Sequence, residues 1–159
     1  MTAVDLLGRE LQETWLREIP LASALAIEVA SCTREEILVR APLTPNRNLH
    51  GTAFAGSLFA VCVLTGWGAA WRALKERATE GHIVVADSRI KYRRAVSGDL
   101  LCHCRPNVDD VAQRLAGLAA SSRASLPLEC TIDQDGKRAV TFEGEYVVHL
   151  KETSRAPRS

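Results

Sequence analysis

The sequence predicts one α+β domain, in which a curled antiparallel β-sheet wraps a long apolar helix and an extra helix stands at the N-terminus. Three observations carry this. No charged residue occurs between Gly51 and Trp71, and apolar residues fall on every side of that stretch when it is wound as a helix. Segments of strand composition lie on both sides of it. Ahead of them all, Val4, Leu7, Leu11 and Trp15 recur at helical spacing. A helix apolar all round must be enclosed by protein or by lipid. The stretch is about long enough to cross a bilayer, but Gly56, Ser57, Thr65, Gly66 and Gly68 lower its hydropathy and no second span accompanies it. A sheet curled around the helix buries it on most sides.

The elements follow in order. The first helix ends before Pro20, so residues 1–20 form the added helix and residues 21–150 the core of a single domain. Residues 23–32 have strand composition, Thr33 and Arg34 suit a turn, and residues 36–41 are the hairpin partner. Pro42 and Pro45 end that hairpin and open a polar loop that runs to Asn48. The central helix is expected from Gly51, with a charged tail over residues 72–77. Residues 83–96 and 100–105 are expected to pair as a hairpin about Ser97-Gly98-Asp99, Gly98 supplying the turn geometry. Val108, Val111, Leu115 and Leu118 mark a short helix with Asp109 and Asp110 in its first turn. Residues 124–132 and 138–150 form a last hairpin at Asp135-Gly136. Residues 151–159 make a polar tail.

Composition narrows the function. A net charge of +1 with 25% charged residues gives no general attraction for nucleic acid or an anionic membrane, so neither is expected as a partner. The five cysteines (Cys32, Cys62, Cys102, Cys104 and Cys130) are odd in number and form no Cys-x-x-Cys pair, which argues against a disulfide framework. In a strand, His103 points away from Cys102 and Cys104, and no second ligand cluster follows, so no metal site is predicted. The N-terminal segment is charged (Asp5, Arg9, Glu10, Glu13) and has no apolar signal core, which makes the cytoplasm the expected location.

Chemistry concentrates around residues 45–57. A polar loop with Asn46, Asn48 and His50 runs into Gly51, Thr52, Phe54, Gly56 and Ser57. Glycines at a helix start admit a ligand close to the backbone, and the first N–H groups of a helix lack partners and carry partial positive charge. Such groups can hold a developing oxyanion beside an apolar channel, as acyl transfer from a thioester requires. The plainer alternative is a helix capped by Thr52 or Ser57, with asparagines serving turn geometry. Imidazole changes charge nearest neutrality, which qualifies His50 as a general base; a loop histidine bonded to backbone is the alternative. Asp87 interrupts an apolar strand beside Ser88, either buried for a purpose or on the open face of the sheet. Ser57 suits orientation of water or substrate better than nucleophilic attack, since no triad spacing surrounds it. The amides of Asn46 and Asn48 can position a water or a carbonyl. Arg89, Lys91, Arg93 and Arg94 crowd one strand, as a phosphate-binding face or as an ordinary solvated one.

Two of these stretches resemble a known superfamily. Asn48-x-x-Gly51-Thr52-x-Phe54-x-Gly56-Ser57 looks like the loop-to-helix motif of hotdog acyl-CoA thioesterases, and Tyr92-x-Arg94-Ala95-Val96-x-Gly98-Asp99 like their central strand and turn. Within that group the chain resembles the thioesterase domains of the YiiD C-terminal type, through the Pro45-Asn46-x-Asn48 loop, Gly66-Trp67-Gly68 and Phe142-x-Gly144-x-Tyr146-Val147-Val148. The resemblance implies a hotdog fold, an acyl thioester of coenzyme A or acyl carrier protein as substrate, no bound cofactor, and a homodimer or dimer of dimers with sites between subunits. The chain also departs from the pattern. Phe54-Ala55-Gly56 replaces the usual His-Gly-Gly, and the helix position that ordinarily carries a carboxylate is Val63. The readings that follow are hydrolysis by an activated water, hydration or dehydration of enoyl or hydroxyacyl thioesters, and acyl-thioester binding without catalysis.

Overall fold

A computed structural model describes residues 3–152, with side chains from residue 6 onward. The side chain of Val4 and residues 153–159 of the expected tail therefore lie outside what is described. The helices are α1 (Ala3–Glu18), α2 (Pro20–Leu25), α3 (Leu43–Asn46), α4 (Ala55–Glu76), α5 (Val108–Ala116) and α6 (Leu118–Ser121). The strands are β1 (Glu28–Cys32), β2 (Ile37–Ala41), β3 (Gly81–Tyr92), β4 (Leu100–Cys104), β5 (Arg123–Gln134) and β6 (Lys137–Leu150). All six strands join one antiparallel sheet in the order β1-β2-β4-β5-β6-β3, with α4 against its inner face.

α4 has the length and composition to cross a membrane, yet 61% of its most apolar window is buried within the protein. Val61, Cys62 and Ala70 are fully enclosed by the sheet's inner residues and by α1. Close approach requires small side chains at two places. A Cβ on Gly66 would overlap the Tyr146 hydroxyl, which donates to the Val63 carbonyl at 2.8 Å. One on Gly68 would sit 3.0 Å from Leu11 Cδ2 and 3.1 Å from Trp15 Cζ2, so this glycine lets α1 lie directly on α4. Between them Trp67 donates from Nε1 to the Ile83 carbonyl at 3.2 Å and tilts against Trp15 at 6.4 Å between centroids. The Gly-Trp-Gly sequence thus clamps α4 to the sheet on one side and to α1 on the other.

Local turn chemistry behaves as the residues predict at two hairpins. Thr33 accepts from Glu36 N through its hydroxyl at 3.0 Å and closes β1 onto β2. Asp135 and Gly136 both have positive φ, 52° and 72°, which suits a two-residue turn between β5 and β6.

The third expected hairpin does not form. β3 stops at Tyr92 and pairs only with β6, whereas β4 pairs with β2 and β5. The 93–99 connection therefore crosses between the far edge of the sheet and its middle. The sheet curls around α4, so a strand leaving that helix reaches the open edge beside β6 before it can meet β4. Gly98 has no positive φ and has open space around its α-carbon, so it is not the tight-turn glycine that was expected.

Smaller corrections have local causes. Residues 23–25, expected as the start of the first strand, instead end the short helix α2, which Pro20 at its first position favours and Ala26 ends in the left-handed region at φ 53°, so that β1 starts only at Glu28. Leu43–Asn46 is likewise helical within the expected loop. α4 begins at Ala55 rather than Gly51, whose φ of 80° belongs to the preceding loop. Gly117 divides the expected 108–118 helix into α5 and α6. On β4, Cys102 and Cys104 are buried, while His103 lies on the other face against Glu36, 3.2 Å from Nδ1 to Oε2.

Gly66→Ala should destabilise the protein by about 2–4 kcal/mol, combining overpacking with loss of the Tyr146 hydrogen bond. Gly98→Ala should change stability by less than about 0.5 kcal/mol. Urea unfolding of the two variants checks both, and equal effects would contradict the packing described for Gly66.

Candidate functional site

The two stretches singled out in the sequence meet at the start of α4. Ala53 donates to the Val96 carbonyl at 2.8 Å, and the Tyr92 hydroxyl donates to the Ala55 carbonyl at 3.0 Å. Burial raises the Tyr92 phenol's pKa above its ordinary value, which keeps it a neutral donor. Asp99 completes the junction: its Oδ1 accepts from Leu43 N at 3.1 Å and its Oδ2 from Arg40 Nη2 at 2.6 Å. The Leu43 N–H bond and then the Arg40 guanidinium hold the Asp99 carboxyl below its ordinary pKa.

The asparagines hold the loop. Asn46 is 2% exposed and donates from Nδ2 to the carbonyls of Leu25 and Pro42, both at 2.8 Å. Its backbone carbonyl accepts from Phe54 N at 2.7 Å. Asn48 Oδ1 accepts from His50 N at 2.8 Å and Thr52 N at 3.1 Å, while Nδ2 donates to Thr52 Oγ1 at 2.9 Å. The Asn46 NH₂ group and both ends of the Asn48 amide bond to the protein and fix the path of the chain through Gly51 into the helix. An Asn-x-Asn spacing ahead of a glycine is the signal for such a self-bonded loop.

The helix start itself is left open. Phe54 occupies the N-cap position, where no side chain accepts from the first turn, and intrahelical bonding begins with Leu58 N donating to Phe54 O at 3.0 Å. The N–H groups of Ala55, Gly56 and Ser57 precede it and have no acceptor among the described residues. Neither Thr52 nor Ser57 caps them, so the plainer capping alternative is not what this chain does. Gly56 is exposed, and the Phe54 ring lies where its Cβ would stand, 3.1 Å from Cζ. Three such donors at the positive end of a 22-residue helix have the chemistry to hold an anion.

The other predicted residues are dispersed. His50 is exposed two residues past Asn48, and its imidazole makes no hydrogen bond among the described residues. Ser57 is half-buried in the first turn. Val63 is half-buried within α4, so the helix brings no carboxylate to its own start. Asp87 follows a bulge in β3 that falls between Val85 and Asp87, is exposed, and accepts from Ser88 N at 2.8 Å through Oδ1. It lies on the open face opposite Glu145; Ser88, opposite Gly144, turns toward the helix side. Arg93 and Arg94 are exposed just beyond β3, anchored through backbone bonds to the Ala139 carbonyl. Within one chain, then, Asn46, Asn48, His50, Gly51, Thr52, Phe54, Gly56 and Ser57 are together, Arg93 and Arg94 follow Tyr92 nearby, and Asp87 is apart. Tyr92 and Asp99 gain roles that strand and turn patterns alone did not assign.

The Asp99 clasp predicts a pH dependence. A carboxyl whose folded pKa is depressed stabilises the fold above its unfolded pKa, and that contribution disappears as pH falls through the folded value. Asp99→Ala should therefore be less stable than wild type at pH 7, and the difference should shrink on acidification below the ordinary carboxylate range. Thermal melts across pH test it; a gap independent of pH would leave the charge of Asp99 with no part in it.

The arrangement matches known proteins throughout its length. Residues 8–150 fit the family described as "Putative thioesterase (yiiD_Cterm)". A "putative thioesterase" from Shewanella oneidensis is 35% identical, with 92% of this chain aligned to 99% of that one at a TM-score of 0.84. A protein of unknown function from Chlorobaculum tepidum is 25% identical over 92% of this chain and 96% of its own, at 0.87. The E. coli PaaI protein of the phenylacetic acid degradation operon shares the fold at 15% identity over 94% of this chain and 96% of its own, with a TM-score of 0.63. The helix wrapped by one antiparallel sheet is the hotdog fold, and this chain belongs to the YiiD C-terminal thioesterase family.

Proposed function

We propose that the protein hydrolyses an acyl thioester of coenzyme A or acyl carrier protein by attack of an activated water, and that it does so in the cytoplasm as a homodimer. The observation that carries this reading is the uncapped start of α4, with the Ala55, Gly56 and Ser57 N–H groups free. Acting on the thioester carbonyl, the donors of Gly56 and Ser57 stabilise the oxyanion that forms as water adds; its collapse re-forms the carbonyl, breaks the C–S bond and releases the thiolate. Thr52 and Phe54 border the acyl group, and Arg93 and Arg94 lie where carrier phosphates approach the helix start. Asn48 acts by holding the loop, since its amide is already bonded. The proton from water passes to His50 or, from a second subunit, to Asp87.

The dimer rests on the edge strand. β3 has β6 as its one neighbour, and Val84 is 49% exposed on it; an open strand edge of twelve residues invites pairing with its twofold mate. Tyr92 stands beside Ala55, so antiparallel pairing turns the helix start of one chain toward the first half of its partner's β3. There a cleft of about 750 Å³ with Trp67, Trp71 and Val84 in its wall and Arg17, Lys75 and Lys151 among its charged lining offers a mixed surface for the acyl group and its carrier. The missing carboxylate at Val63 favours one second reading, acyl-thioester binding without catalysis.

Free-thiol release across a panel of short, medium, long and aromatic acyl groups on both carriers separates the two, and silence throughout leaves binding as the account. With activity in hand, His50→Ala should lower kcat by about 10²- to 10⁴-fold; a fall of less than a few-fold transfers the role to Asp87. Asn48→Ala and Asp87→Ala chains, inactive separately, should recover about a quarter of wild-type activity when unfolded and refolded together, because half the dimers are mixed and each keeps one intact site. Confirmed mixed dimers without recovery would place both residues in one subunit's site.

A further inference from the structure

A second hollow lies at the opposite end of α4, between its last turns, the β1–β2 turn and α5. Its volume is about 460 Å³, within the roughly 300–1,000 Å³ of small-molecule sites. Ile37, Val108, Val111 and Leu115 give it apolar walls, and it stays unfilled because Ala69, Ala73 and Ala112 are short. Its rim is charged. Arg34 and Arg72 pair with one carboxylate, Glu76, whose Oε1 lies 3.2 Å from Arg34 Nε and whose Oε2 accepts from Arg72 Nη1 at 3.0 Å, and Arg77 lines the same rim. Arg72 Nε is buried without an acceptor, and Arg77 makes no ion pair among the described residues. Of the acids on the adjoining turns, Glu36 pairs with Arg105 at 2.6 Å and Asp110 with Arg114 at 2.9 Å, while Glu35 and Asp109 do not line the hollow. Three guanidiniums and one carboxylate in the lining, with Arg77 outside the ion pairs, leave positive charge in excess beside the apolar walls.

We propose that this hollow binds an amphipathic anion, with an alkyl or aryl body against the apolar walls and a carboxylate among Arg34, Arg72 and Arg77. Burial of the body supplies the hydrophobic gain, and arginine forks match a carboxylate geometrically. The site stands roughly 25 Å along α4 from Gly56, at 1.5 Å per residue, so it is separate from the oxyanion site and does not rest on the thioesterase reading.

Calorimetric titration of the full chain with decanoate tests the assignment, with decanol and inorganic phosphate as the body and the charge taken singly. Decanoate should bind, and each single-feature probe should bind at least about tenfold more weakly. Arg34→Gln combined with Arg77→Gln should weaken decanoate by about tenfold or more, and Ala112→Leu should weaken it by filling the hollow. Ser57→Ala at the other end of α4 should leave it unchanged. If Ala112→Leu fails to fold, the double arginine variant, exposed at both positions, still decides. No heat with wild type, phosphate binding as well as decanoate, or loss on Ser57→Ala without loss in the rim variant would each overturn the proposal.

Discussion

Everything in this molecule is arranged around enclosing a helix that has no polar face. α4 carries no charged residue until Arg72, so water can be kept from it only by surrounding it, and the sheet must curl to do so. Curling brings backbone and side chains unusually close. Gly66 admits the Tyr146 ring, and Gly68 admits Leu11 and Trp15. α1 then closes the side that the sheet leaves open. The Tyr146 hydroxyl, forced into this interior, is satisfied by the Val63 carbonyl, and burial holds its phenol protonated well above the ordinary range. A buried polar atom without that partner would cost free energy comparable to the packing it accompanies.

The site arises where enclosure ends. A helix leaving its sheath must expose its first N–H groups, and most helices satisfy them with a capping side chain. Here Phe54 stands at the capping position and satisfies nothing. The neighbouring polar groups that might have served are engaged: Asn46 with Leu25 and Pro42, Asn48 with His50 and Thr52, Asp99 with Leu43 and Arg40. The result is a rigid rim around three unsatisfied donors. In the proposed hydrolysis such a hydrogen-bonded rim serves the chemistry, because donors that need not reorganise stabilise a developing charge more effectively.

The same geometry explains the two unfinished surfaces. Six strands cannot close around one helix, so β3 remains an edge at one side. At the far end, α4 emerges beside the β1–β2 turn with alanines at 69 and 73 where larger residues would have filled the space. Charged residues gather there because the helix has left the core, and Arg72 is caught between the two environments, paired by one nitrogen and orphaned at another.

The sequence by itself determined the elements whose causes are local. Unbroken apolarity identified the central helix, helical spacing identified α1, and Asp135-Gly136 placed the final turn because its two positive φ values suit few other residues. The loop from Asn46 to Ser57 was legible as chemistry because polar and glycine residues there break an apolar context. What only the tertiary structure decided depends on partners distant in sequence. Whether residues 83–92 pair with 100–104 or with β6 is settled by the path around α4, and adjacency in sequence pointed the wrong way. Asn46 and Asn48 are donors in any context; only the positions of Leu25, Pro42 and Thr52 made them structural. Asp99 looked like a turn residue until Arg40, 59 positions away, closed on it. Hydrophobic periodicity reports burial, whereas the use of a polar atom depends on which acceptor folding brings within 3 Å, and that distance is written in no single segment of the chain.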